Sequence, residues 1–303
     1  MRQVCRRIVV KLLSTSVFRV RHGHTLAASV ETMNPSPHDL SVQALLDAWR
    51  DDLASWAIPD EILSQAPESP WIHPVSMFTV DDEIADSLSH RRAREAMPSD
   101  GTVLDVGSGG GRASFAVVPP ATQVIAVDHQ PGMLDAVAAE AARRGVRSRE
   151  FLGLWPDIAA DVPDGDVVVC HHVAYNVADI GPFVVALDAH ARRRVVLEVP
   201  LNHPTSSMSP LWERFWSLER PTRPTAADLA AIVRALGFDA QVETWEDETW
   251  GRRVTLPDAE RVRFARIRLC LTEDRDAEVA AALIAEADAA PRAVATIWWD
   301  KQS

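Results

Sequence analysis

One aspartate and four glycines lie close together in the stretch 103–115, VLDVGSGGGRASF. Glycine lacks a Cβ, so such a run can turn with positive φ and bring bare backbone against a ligand. Apolar residues before the run predict a strand, and residues 112–116 after it predict a short helix whose first N–H groups point at the same place. The stretch therefore predicts a strand, a tight loop and a helix that bind a nucleotide-like ligand.

The spacing of the glycines separates two kinds of nucleotide-binding loop. The dinucleotide pattern G-x-G-x-x-G requires Gly or Ala in its last place, which would here be Arg112 or Ser114. The pattern D-x-G-x-G-x-G is instead matched by Asp105, Gly107, Gly109 and Gly111. An acid in that place would repel a pyrophosphate but suits a ligand that carries an amino group. A plain glycine-rich turn and a dehydrogenase loop are the alternatives.

A second acid ends the next predicted strand, 123–128 (QVIAVD). Asp128 lies 21 residues after Gly107. A carboxylate at this place can accept hydrogen bonds from both hydroxyls of a ribose. Dehydrogenases share this feature, so it supports the fold more than it identifies the ligand.

Two histidines and the only tyrosine of the chain follow another apolar strand, 166–171 (DVVVCH). Ligands of open α/β sheets bind at the carboxyl ends of the strands. We therefore expect His172 and Tyr175 to handle a proton during catalysis, and His171 to touch the ligand. The alternative is that one of these histidines only packs. No third ligand stands at a convincing spacing, so no metal site is predicted.

Strands and helices alternate along 100–245, which predicts a mostly parallel sheet with right-handed crossovers. The further predicted strands are 147–152, 194–199, 239–246 and 293–299. The predicted helices are 42–56, 81–96 with Asp81 or Asp82 as its cap, 133–144, 179–191, 225–236, 258–271 and 275–289.

With these motifs the chain resembles the class I S-adenosylmethionine (SAM) dependent methyltransferases, in the small-molecule, type 11-like group. The resemblance covers about 100–245, and 290–300 by position. It implies a Rossmann-like α/β sheet of seven strands, mostly parallel with the last one antiparallel. It also implies transfer of a methyl group from SAM to a small-molecule acceptor, with release of S-adenosylhomocysteine. The alternatives are a SAM-binding partner or sensor that does not catalyse, and an NAD-dependent dehydrogenase.

The resemblance also implies a set of cofactor-binding positions. Members of the family follow the third strand with Gly and Asp, where the acid binds the adenine amino group, but here Leu154 follows the glycine. We therefore expect backbone groups of Leu154 and Trp155 to contact the adenine, with the Trp155 indole stacking on it. The predicted SAM-binding residues are Asp105, Gly107, Ser108, Gly109, Gly111, Asp128, His129, Met133, Leu154, Trp155 and His171.

Three parts of the chain are predicted around this centre. Residues 1–32 form a basic extension, which is either a transit peptide or an over-long start before Met33. Residues 33–98 form a helical extension over the cofactor site. Residues 99–303 form the methyltransferase domain, with a cap segment at 201–224 and a helical insertion at 256–290.

An aromatic helix face in the cap segment is the predicted acceptor contact. Trp212 and Trp216 lie four residues apart, with Phe215 on the same face. Such a face could close on an apolar acceptor and exclude water. The alternative is that it packs as ordinary core.

The amino-acid composition limits the classes of molecule that this protein is expected to bind. The net charge is −12, and it becomes −17 when residues 1–32 are left out. A domain this acidic repels phosphate backbones, which argues against a nucleic-acid substrate. No apolar run reaches the ~18–20 residues of a membrane helix. Three widely spaced cysteines indicate neither a disulfide framework nor a zinc site, so we expect a cytoplasmic protein.

Overall fold

The structure, a computed structural model, describes residues 37–71, 80, 84, 86–247, 258–285 and 292–302. The chain divides into a unit of residues Met1–Pro35 and a larger unit of residues Ser36–Ser303. The first unit, and with it the predicted basic extension 1–32, lies outside the described residues. All that follows concerns the larger unit.

A seven-stranded sheet forms the centre of the described chain, in the order β3-β2-β1-β4-β5-β7-β6. The first five strands pair in parallel, whereas β7 runs antiparallel between β5 and β6. The strands are β1 Gly101–Val106, β2 Ala121–Asp128, β3 Arg147–Leu152, β4 Gly165–His171, β5 Ala191–Pro200, β6 Gln241–Asp247 and β7 Arg292–Asp300. This is the predicted seven-stranded, mostly parallel sheet with an antiparallel last strand.

The helices cover both faces of the sheet. They are α1 Pro37–Ala54, α2 Asp60–Leu63, α3 Leu88–Ala96, α4 Arg112–Phe115, α5 Pro131–Arg144, α6 Ile180–Ala189, α7 Ser209–Trp216, α8 Ala226–Ala235, α9 Asp258–Arg268 and α10 Asp276–Ala285. Side chains of α1, α6 and α8 pack on one face, and those of α3, α4 and α5 pack on the other. Because both faces are covered, the central strands read as apolar runs in which neighbouring residues are buried on opposite sides.

Helix α3 differs from its prediction. The sequence suggested a start near residue 81, but the helix begins at Leu88 with Ser87 as its cap. The Ser87 side chain accepts from the His90 N–H, and the His90 ring accepts from the Ser87 N–H. This reciprocal pair is a capping box with histidine in the place where glutamate or glutamine usually stands, so the usual sequence pattern does not predict it.

A third apolar cluster lies outside the two sheet faces. It is formed by side chains of α2, α7, α9 and α10, and it includes Trp212 and Leu269. The predicted cap helix and part of the predicted insertion therefore share one small helical core. Within the described part of the chain, no helix is long and apolar enough to cross a membrane.

Candidate functional site

The glycine loop connects β1 to α4 at the carboxyl edge of the sheet. Its three patterned glycines all have positive φ, at 72° for Gly107, 51° for Gly109 and 89° for Gly111. The N–H groups of Gly107 and Ser108 both donate to the Val127 carbonyl of β2, at 2.8 and 3.0 Å. The loop is thus anchored to the neighbouring strand and holds a conformation that favours glycine at alternate positions.

Asp105 links the strand before this loop to the helix after it. Its side chain is buried, and it accepts a hydrogen bond of 3.1 Å from the Ser114 N–H in α4. Burial raises the pKa of Asp105 to about 7, the bond from Ser114 opposes the rise, and the charge of Asp128 adds to it. The expectation that this acid faces a ligand amino group is wrong, since the carboxyl group is enclosed between strand and helix.

Asp128 is the acid that lies next to the loop. Its Oδ2 accepts from the Gly109 N–H at 3.0 Å, and its Oδ1 accepts from the Gln130 N–H at 2.9 Å. The exposed His129 ring lies 3.5 Å from the same carboxylate. Each carboxylate oxygen has a second lone pair, so the group can still accept two hydroxyl hydrogens.

The residues that we expect to contact an adenine differ in their exposure to solvent. Leu154 is 59% exposed, whereas Met133 lies on the buried face of α5. The Trp155 indole is buried, donates to the Phe183 carbonyl at 3.4 Å and packs edge-on against His190. The expected stacking of this indole on a ligand is therefore wrong, while the backbone contacts stay a prediction.

A buried acid that the sequence analysis missed lies at the end of β5. Glu198 approaches the two histidines at the end of β4, with its Oε1 3.0 Å from Nε2 of His172 and its Oε2 3.9 Å from Nδ1 of His171. The Ser87 hydroxyl donates to Oε2 at 3.2 Å. The His90 ring stacks on His171 with a centroid distance of 5.6 Å. Three elements that are distant in sequence thus form one polar cluster, which we call the Glu198 cluster.

The charges of the Glu198 cluster follow from burial and hydrogen bonding. Burial lowers the pKa of His171 to about 3, against the pull of Glu198, so this ring is neutral at neutral pH. Burial alone would raise the pKa of Glu198, but the hydrogen bond that His172 donates outweighs it and holds the pKa well below its usual value. The cluster therefore contains an ionised carboxylate in a largely buried place.

Tyr175 does not suit the proton-handling role expected of it. Its hydroxyl donates to the Pro200 carbonyl at 2.9 Å, and burial raises its pKa well above the usual range. The ring belongs to an aromatic row, stacked on Trp49 at 5.7 Å and edge-on to His203 at 5.4 Å. His203 in turn stacks on Trp56 at 4.0 Å. The expectation for Tyr175 is corrected to packing, because its proton is held by a backbone carbonyl.

The aromatic face of α7 points into the third apolar cluster. Trp212 is 4% exposed, and the Trp216 indole donates to the carbonyl of Leu269, the residue that follows α9, at 2.7 Å. The Arg220 guanidinium covers Trp212 at 5.2 Å from the ring centroid. These contacts agree with the packing alternative, and an acceptor contact by either tryptophan stays a prediction.

A signal for Glu198 was present in the sequence. The predicted strand 194–199 reads RVVLEV, a buried run with one acid near its carboxyl end. An acid in a strand covered on both faces needs partners, and the carboxyl end is where ligands bind. Ser87 and His90 carried no such signal, since their approach depends on how α3 packs. In the part of the chain that the structure describes, no group of three or more potential ligands could hold a metal ion.

The sheet order with its antiparallel last strand, the anchored glycine loop and the acid that ends β2 together define the fold of the class I SAM-dependent methyltransferases. Residues 104–193, from β1 into β5, match the family model described as a methyltransferase domain.

Two curated relatives match part of the chain. The ubiquinone biosynthesis O-methyltransferase of Azorhizobium caulinodans is 32% identical over 114 residues, which is 37% of this chain and 45% of that protein. An uncharacterized protein of Haemophilus influenzae is 33% identical over 100 residues, or 33% of this chain and 37% of the relative. The chain thus spans less than half the length of either relative.

Solved structures resemble the chain at low sequence identity. Coclaurine N-methyltransferase bound to N-methylheliamine and S-adenosylhomocysteine is 13% identical, covers 88% of this chain and 88% of its own, and gives a TM-score of 0.47. A putative sarcosine dimethylglycine methyltransferase from Galdieria sulphuraria is also 13% identical, with coverage of 71% and 83% and a TM-score of 0.48.

Proposed function

We propose that this protein transfers a methyl group from SAM to a small-molecule acceptor and releases S-adenosylhomocysteine. The observation that carries the proposal is the anchored glycine loop, in which three left-handed glycines stand beside the Asp128 carboxylate at the carboxyl edge of the sheet. A relative that is 32% identical over 114 residues is an O-methyltransferase by name.

The residues present fit the cofactor. A Cβ on Gly107 would lie 2.3 Å from Cγ2 of Val173, so only glycine keeps the backbone this close to the segment after β4. The loop can therefore hold the amino-acid end of SAM against bare backbone. Asp128 would accept the ribose hydroxyls, and His129 and Leu154, both exposed, would border the adenine.

The reaction requires few catalytic groups from the protein, because the sulfonium of SAM supplies an already activated methyl group. The main task of the chain is to align the acceptor with that methyl group at about 3–3.5 Å. When the acceptor must also lose a proton, a base has to lie at the same edge of the sheet. We assign that role to His172, which follows β4 at this edge.

The acceptor we propose is a small molecule and not a nucleic acid. The net charge of −12 opposes the approach of a phosphate backbone. We place the reaction in the cytoplasm, consistent with the burial of Cys170 and Cys270 as free thiols.

Two measurements test the function. Calorimetry should detect binding of S-adenosylhomocysteine and no binding of NAD. Incubation with methyl-labelled SAM and a metabolite extract should yield a labelled small molecule. Binding of NAD alone would overturn the proposal in favour of a dehydrogenase, and binding of S-adenosylhomocysteine without any labelled product would favour a partner or sensor.

A further inference from the structure

Two exposed leucines lie beside the acid that ends β2. Leu152 is the last residue of β3 and pairs in register with Asp128. The Gly153 N–H donates to the Asp128 carbonyl at 3.0 Å, so the chain stays beside β2 as it leaves the sheet towards Leu154. The side chains of Leu152 and Leu154 are 57% and 59% exposed. Neighbouring exposed apolar side chains at the carboxyl edge of an α/β sheet are typical of a ligand-binding surface.

The exposed position of Leu154 belongs to an ordered turn. A Cβ on Gly153 would lie 2.4 Å from Cγ2 of Ile158, so the backbone before Leu154 packs directly on that side chain. The Ile158 N–H also donates to the Leu154 carbonyl at 3.2 Å. On the other side, the Trp155 indole is buried and donates to the Phe183 carbonyl. These contacts hold the turn while the Leu154 side chain faces solvent.

This surface lies within reach of the base of the proposed cofactor. In the proposed function the Asp128 carboxylate accepts the ribose hydroxyls, and the same ribose carries the purine base. Side chains alternate along a strand, so the register partners Asp128 and Leu152 place their side chains on the same face of the sheet. A base that extends from this ribose over β3 covers both leucines. Apolar side chains then contact the flat face of the base, which all purines share.

The side chains around this surface do not distinguish an amino group from a carbonyl on the purine. A carboxylate would do so, because it only accepts hydrogen bonds. Leu152 and Leu154 offer no hydrogen bond, and the neutral His129 ring has both a donor and an acceptor. The His129 side chain is 60% exposed, which leaves water at hand for either group. Asp157, the next carboxylate along the chain, is itself exposed, so water competes for it.

We propose that this surface, with Leu154 as its specificity-determining residue, binds the purine through its face and accepts the deaminated base hypoxanthine as readily as adenine. The proposal rests on the proposed function and adds to it the class of nucleoside that the cofactor site takes. It concerns binding alone and leaves the identity of the methyl acceptor open.

The first test compares two ligands on the unaltered full chain. S-inosylhomocysteine differs from S-adenosylhomocysteine only in the base, where a carbonyl oxygen replaces the exocyclic amino group. Calorimetry at neutral pH should give dissociation constants within about tenfold of each other, since an apolar surface discriminates weakly between such ligands. A larger preference for the adenosyl ligand overturns the proposal, and it does so without any variant having to fold.

The second test introduces the discrimination that the site lacks. Leu154→Asp and Leu154→Asn have side chains of nearly the same shape, but only the carboxylate is restricted to accepting. Leu154→Asp should raise the preference for S-adenosylhomocysteine by about tenfold or more, as expected for a hydrogen bond to a charged group. Leu154→Asn should keep the wild-type ratio, because an amide can either donate or accept.

Ile284→Asp is the control for the added charge. Ile284 is 71% exposed on α10, within the separate helical cluster, so this variant should change neither affinity. Melting curves should be close to that of the wild type for all three variants, because both positions are exposed. A folded Leu154→Asp protein with the wild-type ratio of affinities would show that the base lies elsewhere, and this contradicts the proposal.

The two proposals fail in different ways. Absence of binding by both ligands contradicts the methyltransferase function itself. Binding of S-adenosylhomocysteine with strong rejection of S-inosylhomocysteine leaves the function standing and overturns only the inference about the base.

Discussion

At the scale of single residues, Asp128 combines two tasks in one carboxylate. It accepts N–H groups from Gly109 and Gln130, and in the proposed function its remaining lone pairs accept the ribose hydroxyls. The proposal therefore couples the shape of the loop to the affinity for the ligand.

Replacement of Asp128 by Asn should weaken binding of S-adenosylhomocysteine by roughly 10- to 150-fold. This corresponds to about 1.5–3 kcal/mol for hydrogen bonds to a charged group. Calorimetry measures the loss, and Asp135→Asn, at an exposed position of α5, is the control. Equal affinities of both variants and the wild type would contradict the assignment of Asp128.

Gly107→Ala should destabilise the fold more than Gly145→Ala. Both glycines have positive φ, at 72° and 67°, so both substitutions strain the backbone by about 1–2 kcal/mol. A Cβ on Gly107 meets Val173 at 2.3 Å, whereas a Cβ on Gly145 meets nothing within 4 Å. Urea unfolding of the two variants isolates the clash, and equal losses of unfolding free energy would show that Val173 moves aside at no cost.

At the scale of elements, α7 belongs to the packing of the helical cluster. Trp212→Ala should lower the free energy of unfolding by roughly 3–5 kcal/mol, as for other buried tryptophans. Trp71→Ala should stay within about 0.5 kcal/mol, since Trp71 is 54% exposed. Denaturant titrations compare the two variants. A Trp212→Ala protein of wild-type stability with a raised acceptor KM would restore the cap interpretation.

The elements themselves were largely predictable from the sequence. β3 matches its predicted bounds, and α8, which begins after its cap Thr225, lies within the predicted helix 225–236, because both follow from local patterns of apolar residues. The Glu198 cluster was not predictable in this way, because Ser87, His171 and Glu198 meet only once the sheet and α3 are assembled. The orientations of the Asp105 and Trp155 side chains likewise depend on tertiary packing, which the periodicity of the sequence does not reveal.

At the scale of the whole molecule, buried neutral histidines make the stability of the fold decrease as the pH falls below about 6.5. The pKa of His171 is lowered to about 3 and that of His203 to about 4, both mainly by burial. Between these values and the ordinary value near 6.5, the unfolded chain binds more protons than the folded one. Asp105 acts in the opposite sense, since its raised pKa makes stability fall as the pH rises towards 7.

His203→Gln should therefore reduce the loss of stability that accompanies a fall in pH from about 6.5 to 4. Chemical denaturation at several pH values measures how the free energy of unfolding depends on pH. The slope of this dependence is the readout, because loss of the stacking on Trp56 changes the free energy of unfolding by the same amount at every pH. Asp105→Asn is the control of opposite sign, and its stability relative to the wild type should rise with pH. Parallel curves for His203→Gln and the wild type would show that His203 titrates normally in the folded protein.

The aromatic row through Trp49, Tyr175, His203 and Trp56 has an optical consequence. Two of the ten tryptophans of the chain lie in this row, next to the segments that follow β4 and β5. An imidazolium quenches the emission of an indole that it touches, whereas a neutral ring does so far less. Because His203 stays neutral until the pH approaches about 4, we expect it to leave the Trp56 emission unquenched through the neutral range. The row thus places a natural fluorophore next to the segments that follow β4 and β5.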